Sequence, residues 1–262
     1  MGEFSGYRTL SIKRTGTVLV VELARPEAAN ALSTDLCKEL DGLLAETALS
    51  EDIRAVVIWG GQRRVFCAGA DLKERLRNPG RDHELRRPIV SLWQTLHSFP
   101  KIIVFAVNGH AIGGGFELIA HGDAVIASDA AEFSLPEVQW AGIPGGWATQ
   151  LLPRFLGPVL ARWLILSGAR LSAEDARQLG LITEITAPGA VLPRAIAVAQ
   201  QLADRPLVAV AMAKEAIRQS FDNFLSSGAQ AEDHLLQIAT AAPERIDRLQ
   251  TFASGARPKV AS

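Results

Sequence analysis

Three consecutive glycines, Gly113-Gly114-Gly115, stand between the apolar run Ile102 to Val107 and the segment Phe116-Glu117-Leu118-Ile119-Ala120. The apolar run reads as a buried strand, the glycines as a tight turn, and the segment behind them as the first turn of a helix. Backbone N–H groups at such a helix start have no intrahelical acceptor, and the helix dipole adds positive potential at the same place. Glycine lets a bound oxygen approach those amides closely, so a carbonyl that gathers negative charge is stabilised there. Downstream lie Pro136-Glu137 and a second glycine-rich stretch, Gly142-Ile143-Pro144-Gly145-Gly146. Together these residues point to two carboxylates, Glu117 and Glu137, facing a backbone anion hole.

A second strand-to-helix turn occurs upstream, in Val65-Phe66-Cys67-Ala68-Gly69-Ala70-Asp71-Leu72-Lys73. Around these turns the first part of the chain alternates strands and helices. Strands are predicted at Leu10-Ser11-Ile12, Val18 to Leu23, Ala55 to Trp59, Ala124 to Ala127 and Ile182 to Ile185. Helices are predicted from Ser33 to about Thr47, from Ile89 to Ser98 and behind the N-cap Ser172. That order describes an α/β domain over residues 1–187. From 188 to 262 the pattern is helical, with helices expected over Val191 to Ala203, Leu207 to Ser220, Leu225 to Thr240 and Glu244 to Ala253.

With 262 residues, 48% hydrophobic and 21% charged, the chain has the make-up of a globular protein able to bury a substantial core, which excludes disordered and collagen-like classes. A formal net charge of -1 supplies no general attraction to nucleic acid or to an anionic membrane. Cys37 and Cys67 are too few for a disulfide framework, no secretory leader is visible, and no apolar run approaches a bilayer span. A reducing, cytoplasmic setting is therefore expected. The five histidines and two cysteines show no metal-ligand spacing.

These segments resemble the crotonase family, also called the enoyl-CoA hydratase/isomerase family. The likeness runs from Arg25-Pro26-Glu27-Ala28-Ala29-Asn30-Ala31-Leu32 through Phe66 to Lys73, Asn108 to Glu117 and Leu135-Pro136-Glu137 to Leu171 to Ala176 and Gly180-Leu181. It covers nearly the whole chain. The resemblance implies a core of repeated strand-strand-helix units with a C-terminal all-helical oligomerisation region, and assembly as a homotrimer or a dimer of trimers. It also implies an acyl-CoA thioester substrate and no separate cofactor, coenzyme A being part of the substrate.

Carried over by motif, the oxyanion donors are the amides of Ala70 and Gly114, and the catalytic pair is Glu117 and Glu137. Glu117 would activate water and Glu137 deliver the α proton of a hydration. Substrate contacts are expected from Ala68, Asp71, Leu72 and Lys73 toward coenzyme A, and from Phe116, Trp140, Gly145 and Trp147 toward the acyl group. Lys73 is the leading partner for a CoA phosphate, with Arg25, Arg257 and Lys259 as further candidates. Trp147 departs from the small residues that hydratases commonly carry there, so it is expected to reshape the acyl pocket or to pack in the core.

The leading expectation is hydration of a trans-2-enoyl-CoA. Isomerisation between the Δ3 and Δ2 positions needs only one carboxylate and stays open, as do a specialised dehydratase or hydrolase. A nonenzymatic acyl-CoA- or RNA-binding role would draw on the arginines between Arg75 and Arg87, although their interleaved acids favour a solvated mixed-charge face. His110 and His121 are expected to pack or to edge the pocket, Lys101 to sit on the surface, Asp123 to belong to a turn, and Cys67 to fill the core.

Overall fold

Alternation of side chains along parallel strands buries both faces of a sheet, and the sequence obeys that rule. A computed structural model describes residues 6–78, 81–221, 234 and 236–238. Its larger sheet has six strands in the order β1 (Leu10–Thr15), β2 (Val18–Leu23), β3 (Ala55–Trp59), β5 (Ile102–Val107), β7 (Ala124–Ser128) and β10 (Glu184–Thr186). All its pairings are parallel except that of β1 with β2. A smaller sheet takes β4 (Val65–Cys67), β6 (His110–Ile112), β8 (Glu132–Ser134) and β9 (Leu171–Ser172), with β9 antiparallel to β8.

Three strands of the large sheet, β3, β5 and β7, are each followed by a short strand of the small sheet and then by helix. The unit recurs as β3-β4 with α2 (Leu72–Arg77) and α3 (Asp82–Ser98), and as β5-β6 with α4 (Gly114–Ile119). It recurs again as β7-β8 with α5 (Ala148–Leu156) and α6 (Pro158–Ser167). The expected α/β architecture of strand-strand-helix units is present. The three-residue strands β6 and β8 were too short to register as periodic patterns.

One face of the large sheet (Leu19, Val21, Val56, Ile58, Ile103, Phe105, Val125) packs into the main core with α1 (Thr34–Leu49) and α3. The opposite face (Val18, Val20, Val57, Val104, Ala106, Ile126) is covered by α8 (Val191–Ala203) through Val191, Ala195, Ala199 and Ala203. Small side chains at every fourth position form one stripe that lets the helix lie close to the strands. α8, the first α-helix of residues 188–262, is therefore built into the core. α7 (Ala173–Gln178) starts from the predicted cap, Ser172 and Asp175 bonding each other's backbone, and α9 (Leu207–Gln219) follows α8. The helices expected over Leu225 to Thr240 and Glu244 to Ala253 lie largely or wholly outside the described residues.

Two local expectations are corrected. α3 begins at Asp82, not Ile89, and carries Pro88 within it. Leu85, Ile89, Leu92 and Leu96 repeat at helical spacing, and packing of that stripe outweighs the one amide that proline lacks. Lys101 is buried, at 6% exposure, because its ammonium donates to the carbonyls of Thr47, Ser50 and Ile53 where α1 ends and the chain turns into β3. The charge is held by carbonyls gathered at the end of α1 and in the turn behind it, of which Thr47 O also accepts from Ser50 N–H.

Candidate active site

The β4-to-α2 turn is fixed before any ligand arrives. Asn30 donates through its side-chain amide to the carbonyls of Gly60 (2.9 Å) and Phe66 (3.0 Å), clamping this turn to the preceding segment. Leu32 N–H donates to Gly69 O at 2.7 Å, and Asp71 N–H to Leu32 O at 3.2 Å, a short parallel bridge that brackets Ala70. Since successive amides of an extended segment point to opposite sides, the Ala70 N–H is turned away from Leu32. Asp71 caps α2 by accepting from Glu74 N–H (3.0 Å) and pairs with Arg25 at 2.9 Å.

Gly113 ends β6 with φ +55°, donates to Ser134 O at 2.8 Å and opens α4, leaving the Gly114 N–H at the first helical position. The two candidate donors are neighbours. A methyl group on Gly69 would lie 3.1 Å from the Gly114 nitrogen, and one on Gly114 would lie 3.8 Å from the Ala70 nitrogen. Neither amide is a donor in the backbone bonds of the described turns and loops. Two such N–H groups beside one cavity are the kind of donor pair that stabilises an oxyanion.

That cavity, about 290 Å³, is lined by Ala70, Gly114, Glu117 and Glu137 together. Glu117 lies in the first turn of α4, only 3% exposed, and its Oε1 accepts from Gly146 N–H (2.7 Å) and Ala148 N–H (3.1 Å). Burial raises its pKa, while those amides pull it back. Glu137 follows Pro136 in a 3-10 turn over Glu137–Trp140. Its Oε1 sits 2.7 Å from where a Cβ on Gly113 would stand, so glycine is required there for space as well as for φ. Its Oε2 is buried without a hydrogen-bond partner among the described residues. Burial first and the Glu117 charge second push the Glu137 carboxyl up to about 7. Both carboxyls are therefore held above the ordinary glutamate range, Glu117 with two amides favouring its ionised form and Glu137 exchanging its proton near neutrality.

Of the substrate contacts expected from sequence, Ala68, Leu72, Trp140 and Gly145 line the cavity. Lys73 is exposed on the first turn of α2 and is not among the cavity residues. Asp71 is turned inward to Arg25, which revises both: Arg25 is a structural cation, its guanidinium also donating to Ala31 O, and not a free phosphate ligand.

Phe116 is revised too, because it points from α4 into the core against Phe133, ring centres 5.6 Å apart. Trp147 lies behind the cavity wall, its ring 4.6 Å from His97 and 5.7 Å from His121, centre to centre. Its left-handed φ of +78° sets Ala148 to start α5 with an amide aimed at Glu117. His121 stacks on Trp93 at 5.6 Å and lies 3.3 Å from Gly146 O through Nε2; burial lowers its pKa to about 4, so it is neutral at ordinary pH. Since a carbonyl only accepts, Nε2 carries the proton.

Arg86, Ile89 and Trp93 on α3 also line the cavity, a set the charged appearance of residues 73–87 concealed. Their spacing of three and four places them on one helical face, which was the available signal. Arg257 and Lys259 lie outside the described residues. Cys67 is buried in the core, and Asp123 accepts from Ile103 N–H (2.7 Å) and pairs with Lys214 (2.6 Å), tying α9 to the sheet.

The fold of paired sheets brings two amides without an acceptor among the described residues and two glutamates to one cavity. Residues 13–259 match the family model described as enoyl-CoA hydratase/isomerase. The chain is 34% identical to a mitochondrial enoyl-CoA hydratase of Pongo abelii, covering 91% of this chain and 82% of the relative. It is 35% identical to a 2,3-dehydroadipyl-CoA hydratase of Escherichia coli strain K12, covering 93% and 94%. Among solved structures, an enoyl-CoA hydratase subunit from Geobacillus kaustophilus HTA426 superposes with a TM-score of 0.91 at 32% identity, over 98% of this chain and 99% of that one. The chain belongs to the enoyl-CoA hydratase/isomerase, or crotonase, family. No helix among the described residues is long and apolar enough to cross a membrane.

Proposed function

We propose that the protein is an enoyl-CoA hydratase that adds water reversibly and syn across a trans-2-enoyl-CoA to give a 3-hydroxyacyl-CoA. The observation that carries this reading is that Glu117 and Glu137 face the same cavity as the Ala70 and Gly114 amides. The thioester carbonyl oxygen accepts from those two N–H groups, which draws electron density from the double bond and makes Cβ electrophilic. With Oε1 held by Gly146 and Ala148, the other oxygen of Glu117 takes a proton from water as the water oxygen bonds to Cβ. The displaced electron pair resides on the thioester as an enolate in the oxyanion hole. Glu137, protonated, gives its proton to Cα and restores the carbonyl. The cycle leaves the proton on Glu117 and the charge on Glu137, and exchange between the two coupled carboxyls resets them.

No metal or redox group enters these steps. Ala68 and Leu72 line the pantetheine side in this reading, Asp71 fixes the turn that presents them, and Lys73 meets a CoA phosphate. Assembly as a homotrimer or paired trimers is part of the proposal. In a single chain Val159, Trp163 and Leu166 of α6 form an exposed apolar stripe of the kind subunit contacts cover.

The test is loss of conjugated-thioester absorbance when the purified protein meets crotonyl-CoA, with 3-hydroxybutyryl-CoA identified by mass. Rapid hydration supports the reading. Migration of the double bond in a 3-enoyl-CoA without hydration would assign the isomerase reaction instead.

A further inference from the structure

The α3 wall of the cavity grades from apolar to cationic. Trp93 is deepest, 1% exposed, with Ile89 one turn before it and the exposed Arg86 one turn before that, all on one face of the helix. The wall lines the same cavity as the glutamates and the Ala70 and Gly114 turns. Gly146, whose amide holds Glu117, is packed so tightly on Trp93 that a Cβ there would lie 2.6 Å from the indole. Its neighbour Gly145 meets the Arg86 guanidinium, which would be 3.0 Å from a Cβ at that position.

A thioester carbonyl placed between Ala70 and Gly114, with Cα and Cβ at the glutamates, sends the rest of its acyl chain along Gly145, Gly146, Trp93, Ile89 and Arg86. Among the described residues Arg86 pairs with no carboxylate, and its one polar contact is a long, 3.4 Å bond to Gly145 O. A guanidinium with four or five unspent donors on an acyl-pocket wall has the geometry to bind a carboxylate in a forked pair.

We infer that Arg86 is a specificity residue that recognises a terminal carboxylate on the acyl group, so that the preferred substrates are enoyl-CoA esters of dicarboxylic acids. The inference rests on the hydratase reading and names the substrate class of that same site. A short apolar stretch past Cβ lies against Ile89 and Trp93, and the distal carboxylate reaches Arg86. A plain alkyl chain of equal length brings no anion to the guanidinium and gains nothing from it. The reaction class one step later must then act on a 3-hydroxyacyl-CoA that still carries a free carboxylate.

The experiment compares kcat/KM for two six-carbon trans-2-enoyl-CoA esters, one ending in a methyl group and one in a carboxylate, in the wild-type protein and in Arg86→Gln and Arg86→Lys. Arg86 also acts on the Glu117 charge, but that influence is common to both substrates and cancels in their ratio. The expected result is a preference for the carboxylate ester that falls at least about tenfold in Arg86→Gln and is partly kept in Arg86→Lys. An unchanged ratio overturns the inference while leaving hydration intact; failure of the protein to hydrate any ester would instead remove the hydratase reading. A second measurement assigns the anion: affinity for free coenzyme A is expected to be the same in Arg86→Gln and wild type. A loss of coenzyme A affinity matching the loss of ester turnover would place a CoA phosphate at Arg86 and overturn the acyl assignment.

Discussion

Gly146 N–H donates to Glu117 Oε1 at 2.7 Å, across 29 positions of sequence, and so fixes the carboxylate before substrate binds. With Ala148 on the same oxygen, only the other is left for water. Glu117→Gln keeps an oxygen for the two amides but has no base, and hydration is expected to fall by about 100- to 10,000-fold. Double-bond isomerisation, assayed on a 3-enoyl-CoA, is expected to survive in Glu117→Ala. Equal loss of both activities would show that Glu117 positions the substrate and does not activate water.

Glu137→Gln is expected to nearly abolish hydration while thioester binding, measured by calorimetry, persists. The wild-type rate is expected to fall as pH rises through about 7, where Glu137 loses the proton it must donate. The same shift acts on folding. A raised carboxyl pKa contributes stability that is fully present below about 4.5, the unfolded value, and is lost as pH rises through about 7. Glu137→Gln is therefore expected to have the higher melting temperature at pH 8, with the gap closing toward pH 4.5. A gap independent of pH would contradict the assigned titration.

Gly69 has φ +84°, and a Cβ there would stand 2.8 Å from Ile112 O and 3.1 Å from Gly114 N, against one of the two proposed oxyanion donors. Gly69→Ala is expected to push the hole open and lower kcat by about 100- to 1000-fold, the effect of losing one donor. Circular dichroism should show retained secondary structure. Full activity in a folded variant would mean that Ala70 and Gly114 do not act together.

His121 donates to Gly146 O from behind, so it reaches Glu117 through a single residue, Gly146, whose N–H holds the carboxylate. His121→Gln, which can still donate near that position, is expected to keep more kcat than His121→Phe at similar KM. Identical kcat values in the two variants would leave His121 only its stacking on Trp93.

Lys101→Met removes the donor shared by three carbonyls and leaves them buried. A loss of about 3 kcal/mol or more in urea unfolding is expected, with kcat unchanged in the folded fraction. A loss below about 1 kcal/mol would mean that water replaces the ammonium.

The strands of the large sheet, the α4 start and the limits of α8 were readable because each rests on local periodicity and turn chemistry. The carboxylates and glycines were readable for the same reason, since their residue types sit at fixed offsets from those turns. Lys101 was misplaced because a cation beside a strand looks solvated until the end of α1 is brought against it. Phe116 was misplaced, and Trp147 left open between pocket and core, because adjacency to Glu117 and Gly146 in sequence does not fix which side of the wall a ring takes.

By itself the sequence determined the family, the order of the long strands and helices, and the identity of the two glutamates and two glycine turns. Those follow from residue type and short-range spacing. Only the tertiary structure decided that the Gly146 and Ala148 amides hold Glu117, that Glu137 Oε2 lies without a partner, and that Arg86, Ile89 and Trp93 close the cavity. Each is a contact between segments distant along the chain, set by how helices dock on the sheets, and no local pattern encodes that distance.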